Sequence, residues 1–190
     1  MSATDTVVHY RMVAGVSRCT VRVCAAGLFS SFGHNPTIAV RGYTGEAFFS
    51  PGTLRQASVR ISIQSATLEV TDDVSQKDRR EIESTMRQEV LETSTYPEIV
   101  FESSLISANK LSDYGYSVNV TGNLTLHGVT RSETVNAQVT LMVDTLRAYG
   151  EFSLKQTDYG IKLVSVAGGG LKVKDEVKVT FDIIARKQEG

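Results

Sequence analysis

The side chains with the greatest capacity for chemistry in this sequence are three histidines, His9, His34 and His127, and two cysteines, Cys19 and Cys24. No two histidines stand at a metal-binding spacing, and no HExxH, CxxC or GxSxG motif occurs. The odd spacing of the cysteines places them on opposite faces of one strand, where they do not bridge each other. The sequence therefore predicts no catalytic residue, no metal site and no cofactor.

The elements that must position any site are strands, and the clearest of them lie between Tyr114 and Asp144. Apolar side chains occupy alternate positions on both sides of a turn at His127 and Gly128. The apolar positions are Tyr116, Val118, Val120, Leu124 and Leu126 before the turn, and Val135, Ala137, Val139, Leu141 and Val143 after it. A period of two over this length predicts long antiparallel strands with one buried and one solvated face.

The same alternation recurs along almost the whole chain and predicts about eight strands. Its phase slips by one near Ser65 and Ala66, which indicates a bulge or a bend. Strands whose apolar faces must be hidden together form either a sandwich or a closed barrel, and the period alone does not separate the two. Closure removes exposed edges and leaves room for side chains or one small ligand. We therefore expect an all-β fold with a single closed antiparallel β-barrel of about eight strands.

Residues 76–91 break the alternation. The segment QKDRREIESTMRQEVL is rich in helix-forming residues, lacks Gly and Pro, and repeats apolar residues four apart at Ile82, Met86 and Val90. Ser75 and Asp78 are spaced as an N-terminal capping pair. We expect one or two short helices here, lying over a rim or an opening of the sheet, where they would act as a lid.

Length and composition bound the class of protein. The chain has 190 residues, 41% of them hydrophobic and 22% charged, and a formal net charge of −1. These values are typical of one globular domain, residues 1–190, and give no electrostatic reason to expect nucleic acid as a partner. No run of eighteen apolar residues predicts a membrane-spanning segment. The segment MSATDTVVHYRM lacks the features of a secretory signal, so we expect a cytoplasmic protein, or a periplasmic one if a leader has been removed.

Several segments, taken in order, resemble the YceI-like family of lipocalin-like, polyisoprenoid-binding bacterial proteins. They are FGHNP (32–36), YPEIVF (96–101), GNLTLHGVT (122–130), DYGI (158–161) and DEV (175–177), and the helix precedes the second of them. The resemblance covers about residues 17–185. It implies an eight-stranded barrel whose apolar lumen is partly capped by a helix. Members are often secreted, and this chain departs from them in lacking a signal.

Residues of inward parity form the candidate binding site. They are Val40, Phe49, Ile61, Phe101, Val120, Leu126, Leu141, Phe152 and Phe181. Parity indicates that these side chains point into the barrel, and it does not distinguish a hollow barrel from a filled one. The family resemblance implies the hollow barrel. His34, Arg41 and Tyr43 are candidates for contact with a polar head group, because a cationic or hydroxyl donor suits a quinone or a diphosphate.

These expectations together describe a lipid-binding protein that is not an enzyme. The ligand that the resemblance implies is a long isoprenoid-type lipid, with a polyprenyl or quinone tail, bound for transport or storage. One alternative is an enzyme acting on a small lipid-like metabolite, which requires ionisable residues inside the barrel, and few inward positions on the clearest strands are ionisable. The other is a filled barrel that acts as an interaction module. A homodimer through an exposed strand or the helix is also compatible with the sequence.

Overall fold

Most of the described chain is β-strand. The computed structural model describes residues 6–26, 36–51, 56–166 and 171–189. The strands are β1 (Val8–Met12), β2 (Arg18–Ala26), β3 (Thr37–Val40), β4 (Tyr43–Phe49), β5 (Ser58–Gln64), β6 (Leu68–Val70), β7 (Glu98–Lys110), β8 (Gly115–Leu126), β9 (Val129–Leu141), β10 (Thr145–Lys155), β11 (Ser165–Val166) and β12 (Leu171–Lys187). Helix α1 (Gln76–Thr85) continues into a π-helical turn (Met86–Val90), and 3-10 turns lie at Ser65–Thr67 and Gln156–Tyr159.

The strands close into an antiparallel barrel. Around the ring the order is β1, β4, β5, β7, β8, β9, β10 and β12, and β12 pairs with β1. At this closing pair Tyr10 lies opposite Lys187 and Met12 lies opposite Ala185. The expected barrel of eight antiparallel strands is therefore confirmed, and closure leaves β1 and β12 paired on both sides.

Three of these barrel strands are built from two segments each. Strand β2 continues the line of β1 along β12, β3 continues β4, and β6 continues β5. The turn Ser65–Thr67 separates β5 from β6, at the position where the alternation of the sequence slips, so the expected bend is confirmed. The amide of Gly42, between β3 and β4, donates to Thr67 Oγ1 at 2.8 Å, and a Cβ on Gly42 would lie 2.8 Å from the Thr67 side chain. The break between β3 and β4 is therefore hydrogen-bonded to the break between β5 and β6.

Helix α1 packs against one end of the barrel, here named the helix end. The Asp78 amide donates to Ser75 Oγ at 3.1 Å, which confirms the predicted cap. The Val70 amide donates to Glu83 Oε1 at 3.0 Å and ties the helix to β6. Met86, in the π-helical turn, is buried in the barrel core. The predicted helical segment is confirmed, and its action as a lid stays a prediction.

Apolar clusters occupy both ends of the barrel. The cluster at the helix end comprises Ile38, Val40, Tyr43, Leu68, Met86, Leu91, Leu124, Leu126, Leu154, Tyr159, Ile161 and Val177. The opposite end, here named the hairpin end, carries the connections β7–β8 and β9–β10 and a smaller cluster of Tyr10, Phe49 and Ala185. The Tyr10 and Phe49 rings stack with their centroids 5.5 Å apart. The candidate site extends between these two clusters.

Candidate functional site

An elongated apolar cavity of about 270 Å³ lies inside the barrel. Seven of the nine lumen residues predicted from parity line it, namely Phe49, Ile61, Phe101, Val120, Leu141, Phe152 and Phe181. Shorter side chains on the same faces, including Ala108, Ala137 and Ala148, leave the space that these larger residues surround. The interior is therefore partly hollow, and its wall offers mainly hydrocarbon to a ligand.

The other two predicted lumen residues lie in the packed cluster at the helix end. Val40 and Leu126 are 6% and 7% exposed and pack with Met86 and Leu91. Both side chains face the barrel axis, as their parity predicts, but at a level where the helix segment fills the interior. They therefore form the floor of this end and do not line the cavity.

The three head-group candidates have different positions. Arg41 is exposed, does not line the cavity, and bonds to Glu69 through Nε and Oε2 at 3.1 Å. Tyr43 lines the cavity, and its hydroxyl donates to the Ala14 carbonyl at 3.4 Å. Burial raises the pKa of Tyr43, so its hydroxyl is neutral near pH 7. His34 lies outside the described residues.

Cys19 also faces the cavity. Burial raises the pKa of its thiol to about 11, so it is protonated and a poor nucleophile near neutral pH. Cys19 therefore packs as a small apolar side chain of the barrel interior. Cys24 is a free thiol as well, and the two cysteines are not bridged.

The remaining described histidines are engaged in local contacts. His127 adopts a positive φ of 51° in the β8–β9 turn. Its Nε2 lies 2.7 Å from Glu92 Oε2, and its Nδ1 lies 3.3 Å from the Tyr159 carbonyl oxygen. His9 stacks on Phe48 with a centroid separation of 4.3 Å. Neither histidine lines the cavity. Both ring nitrogens of His127 therefore have partners within the protein.

A carboxylate inside the barrel is the feature that sequence reasoning missed. Glu133 lies on β9 with the same parity as Val135 and Ala137, and it lines the cavity. Its Oε1 accepts a hydrogen bond from the hydroxyl of Tyr159 at 2.7 Å. Tyr159 is 0% exposed. The signal was present in the sequence, because extending the β9 alternation two positions back from Val135 reaches Glu133.

The Tyr159 side chain stands where two barrel strands separate. β9 pairs with β8 along its length but pairs with β10 only between Ala137 and Leu141. Beyond Ala137 the 3-10 turn Gln156–Tyr159 lies between the two strands, and we name this place the β9–β10 gap. Burial and the hydrogen bond to Glu133 raise the pKa of Tyr159, so the hydroxyl is a proton donor across the physiological range.

Within the ranges that the structure describes, no three His, Cys, Asp or Glu side chains are arranged to hold a metal ion. None of the helices in those ranges combines the length and the apolar character needed to cross a bilayer. The chemistry that the described cavity offers is burial of hydrocarbon.

An eight-stranded antiparallel barrel around an apolar cavity defines a lipocalin-like protein. The model of the YceI-like domain matches residues 13–185, and the chain therefore belongs to the YceI-like family. The resemblance seen in the sequence segments is confirmed. No curated protein sequence matches the chain.

Solved structures share the fold at low sequence identity. BcnA of Burkholderia cenocepacia is 19% identical, with a TM-score of 0.70 over 91% of this chain and 98% of that chain. A polyisoprenoid binding domain from Saccharophagus degradans, implicated in plant cell wall breakdown, is 16% identical, with a TM-score of 0.67 over 94% of this chain and 98% of that chain. The YCEI protein of Campylobacter jejuni is 14% identical, with a TM-score of 0.59 over 80% of this chain and 85% of that chain.

Proposed function

We propose that this protein binds a long apolar lipid of the isoprenoid type inside its barrel and carries or stores it there. The observation that carries the proposal is the cavity of about 270 Å³ whose wall is formed by apolar side chains from strands around the barrel. The polyisoprenoid binding domain of Saccharophagus degradans has the same fold, which supports a ligand of this class. Binding of this kind requires no catalytic residue, so we propose a carrier and not an enzyme.

Burial of hydrocarbon supplies the affinity. Each buried methylene contributes about 0.8 kcal/mol, so a five-carbon isoprene unit contributes about 4 kcal/mol before the cost of ordering the chain. The cavity of about 270 Å³ is slightly smaller than the roughly 300–1,000 Å³ that is usual for small-molecule pockets. A long polyprenyl chain therefore needs more room than this cavity offers, and we propose that the helix end opens to admit it.

Lipid extraction followed by binding assays tests the proposal. Mass spectrometry of the organic extract of the purified protein should show a co-purified long-chain lipid. The delipidated protein should then bind the fluorescent hydrocarbon diphenylhexatriene and release it when geranylgeraniol is added. If no lipid is extracted and neither probe binds, the carrier function is refuted and the filled interaction module is favoured.

Neighbouring substitutions on β7 test whether the ligand lies inside the barrel. Ala108 lines the cavity, whereas Ser107 is exposed on the outer face. The ring introduced by Ala108→Phe should take the room of at least two ligand methylenes, about 1.6 kcal/mol, and weaken geranylgeraniol binding about tenfold or more. Ser107→Phe adds the same ring on the other side of the wall and should leave the affinity unchanged. Equal effects of the two substitutions would place the lipid outside the cavity.

A further inference from the structure

The cavity wall contains a carboxylate whose position suits a ligand head group. Glu133 stands directly opposite Gly122 of β8 in the register of the barrel. A Cβ on Gly122 would collide with the Glu102 carbonyl oxygen and come within 2.7 Å of the Phe101 ring, so a side chain here would force the wall to shift. Because Gly122 has none, no β8 side chain stands directly opposite Glu133.

Arg131 lies two positions before Glu133 with the same parity on β9, but it is exposed and its Nη1 donates to the Asp158 carbonyl oxygen at 3.2 Å. Among the described residues that line the cavity there is no Lys or Arg. Glu46 also borders the cavity, but Arg11 Nη2 bonds to its Oε1 at 3.0 Å and the imidazole of His9 lies 3.5 Å from the same atom. Glu133 differs from Glu46 in facing an otherwise apolar space with a phenol as its partner. A carboxylate in such surroundings gains from any further donor that enters.

The hydrogen-bonding capacity of Glu133 exceeds what its protein partner uses. Its Oε1 accepts from the Tyr159 hydroxyl at 2.7 Å, and the described residues offer no hydrogen-bond donor to its Oε2. An ionised carboxylate has about four lone-pair positions on its two oxygens and donates nothing. Glu133 can therefore accept a further hydrogen bond but cannot donate one, and an anionic group placed beside it would be repelled.

We propose that Glu133 binds the head group of the lipid and selects a chain that ends in a hydrogen-bond donor, such as a hydroxyl, an amide or an amine. This inference rests on the proposed lipid-binding function and specifies its ligand. The tail then runs from Glu133 toward the hairpin end past Val135, Ala137, Val139 and Leu141, which lie on the same face of β9. From Glu133 to Leu141 the strand spans about 27 Å at the usual rise per residue. Chains that end in a carboxylate, a diphosphate or an acceptor-only group bind less well.

A series of ligands with one tail and four heads tests the selection. The probes are geranylgeraniol, its methyl ether, geranylgeranylamine and geranylgeranyl diphosphate, each competing with diphenylhexatriene for the delipidated protein. The alcohol and the amine should bind about tenfold or more tightly than the ether, because each donates to a charged acceptor that the ether cannot engage. The diphosphate should bind more weakly than the ether.

Three variants separate head-group binding from a structural role. Glu133→Gln keeps an acceptor for Tyr159 and removes the charge, so the amine should lose about tenfold in affinity, the diphosphate should gain, and the ether should stay unchanged. Tyr159→Phe keeps the carboxylate and should preserve the wild-type order of the four probes. Glu151→Gln changes an exposed glutamate that pairs with Lys178 on the outer face, and should change none of the affinities.

The outcomes distinguish this inference from the function on which it rests. If none of the four probes binds, the lipid-binding function itself fails. If all four bind the wild-type protein with equal affinity, or if Glu133→Gln weakens them all by the same factor, lipid binding stands and the role of Glu133 in selection is refuted. The wild-type order of affinities is sufficient for this decision even if a variant does not fold.

Discussion

Replacing Tyr159 by phenylalanine should destabilise the barrel at the β9–β10 gap. The substitution removes one hydroxyl and leaves the ring, which is 0% exposed, in its place. The lost interaction is the 2.7 Å hydrogen bond to Glu133 Oε1. A hydrogen bond to a charged group contributes about 1.5–3 kcal/mol, so the free energy of unfolding should fall by about that amount. For a chain of this length the corresponding loss in Tm is about 3–12 °C.

The same substitution should change how stability depends on alkaline pH. The folded-state pKa of Tyr159 is raised by burial and by Glu133, above its ordinary value of about 10. The folded protein therefore retains a proton that the unfolded chain loses, and this contribution is complete below pH 10 and decreases as the pH rises toward the folded-state pKa. The wild-type protein should lose stability above pH 10 more steeply than Tyr159→Phe, in which this group is absent.

Urea unfolding at pH 7 and at several values between pH 9 and 11 measures both effects, with Tyr149→Phe as the matched control. Tyr149 is 45% exposed on the outer face of β10, so its hydroxyl should contribute less than about 0.5 kcal/mol. A double-mutant cycle of Tyr159→Phe with Glu133→Gln then isolates the coupling between the pair. If the two tyrosine variants lose equal stability at pH 7, the hydrogen bond of the Tyr159 hydroxyl does not stabilise the barrel at the β9–β10 gap, and the prediction is refuted.

Three further predictions concern single sites. The bidentate hydrogen bonds from Arg147, both 2.8 Å long, lower the pKa of Asp182. The contribution of this carboxylate to stability is therefore present above about pH 4 and is lost as the pH falls through the lowered pKa. Asp182→Asn should be less stable than the wild type at neutral pH, and the difference between their free energies of unfolding should shrink in acid. Cys19, with a thiol pKa of about 11, should react with iodoacetamide at pH 8 far more slowly in the native protein than in urea, as followed by peptide mass spectrometry; equal rates would contradict its burial. Gly122→Ala should lower the free energy of unfolding by about 1–3 kcal/mol in a urea titration, because its Cβ would meet the Glu102 carbonyl oxygen and the Phe101 ring; an unchanged midpoint would contradict this close packing.

The strands, their antiparallel pairing and the helical segment could be predicted from the sequence because each depends on a local repeat. The period of two sets the face of each side chain along a strand, and Phe101, Val120 and Phe181 lie on the inner wall. The choice of a barrel over a sandwich depended on edge pairing and family resemblance, and the β1–β12 pair decides it. The homodimer and the cytoplasmic setting stay predictions.

Two features of the site depend on contacts that no local pattern encodes. Val40 and Leu126 have inward parity, but their level along the barrel axis places them beside Met86 of the helix segment rather than in the cavity. The Tyr159–Glu133 hydrogen bond joins residues 26 positions apart across a place where strand pairing stops. Parity specifies the face of a strand, whereas depth along the axis and the partners across a gap follow from tilt and packing.

The closing pair of the barrel also determines when the fold can be completed. β1 and β12 lie near opposite ends of the sequence, and β12 pairs with β1, β2 and β10. During synthesis from the N-terminus the ring stays open until β12 has left the ribosome, because no earlier strand supplies these partners. Contacts between residues so distant in sequence carry a large loop-closure cost and make all-β chains slow to fold. From the time β10 is made until β12 emerges, the nascent protein is therefore an open sheet with unpaired edges at β1 and β10, and such edges favour aggregation.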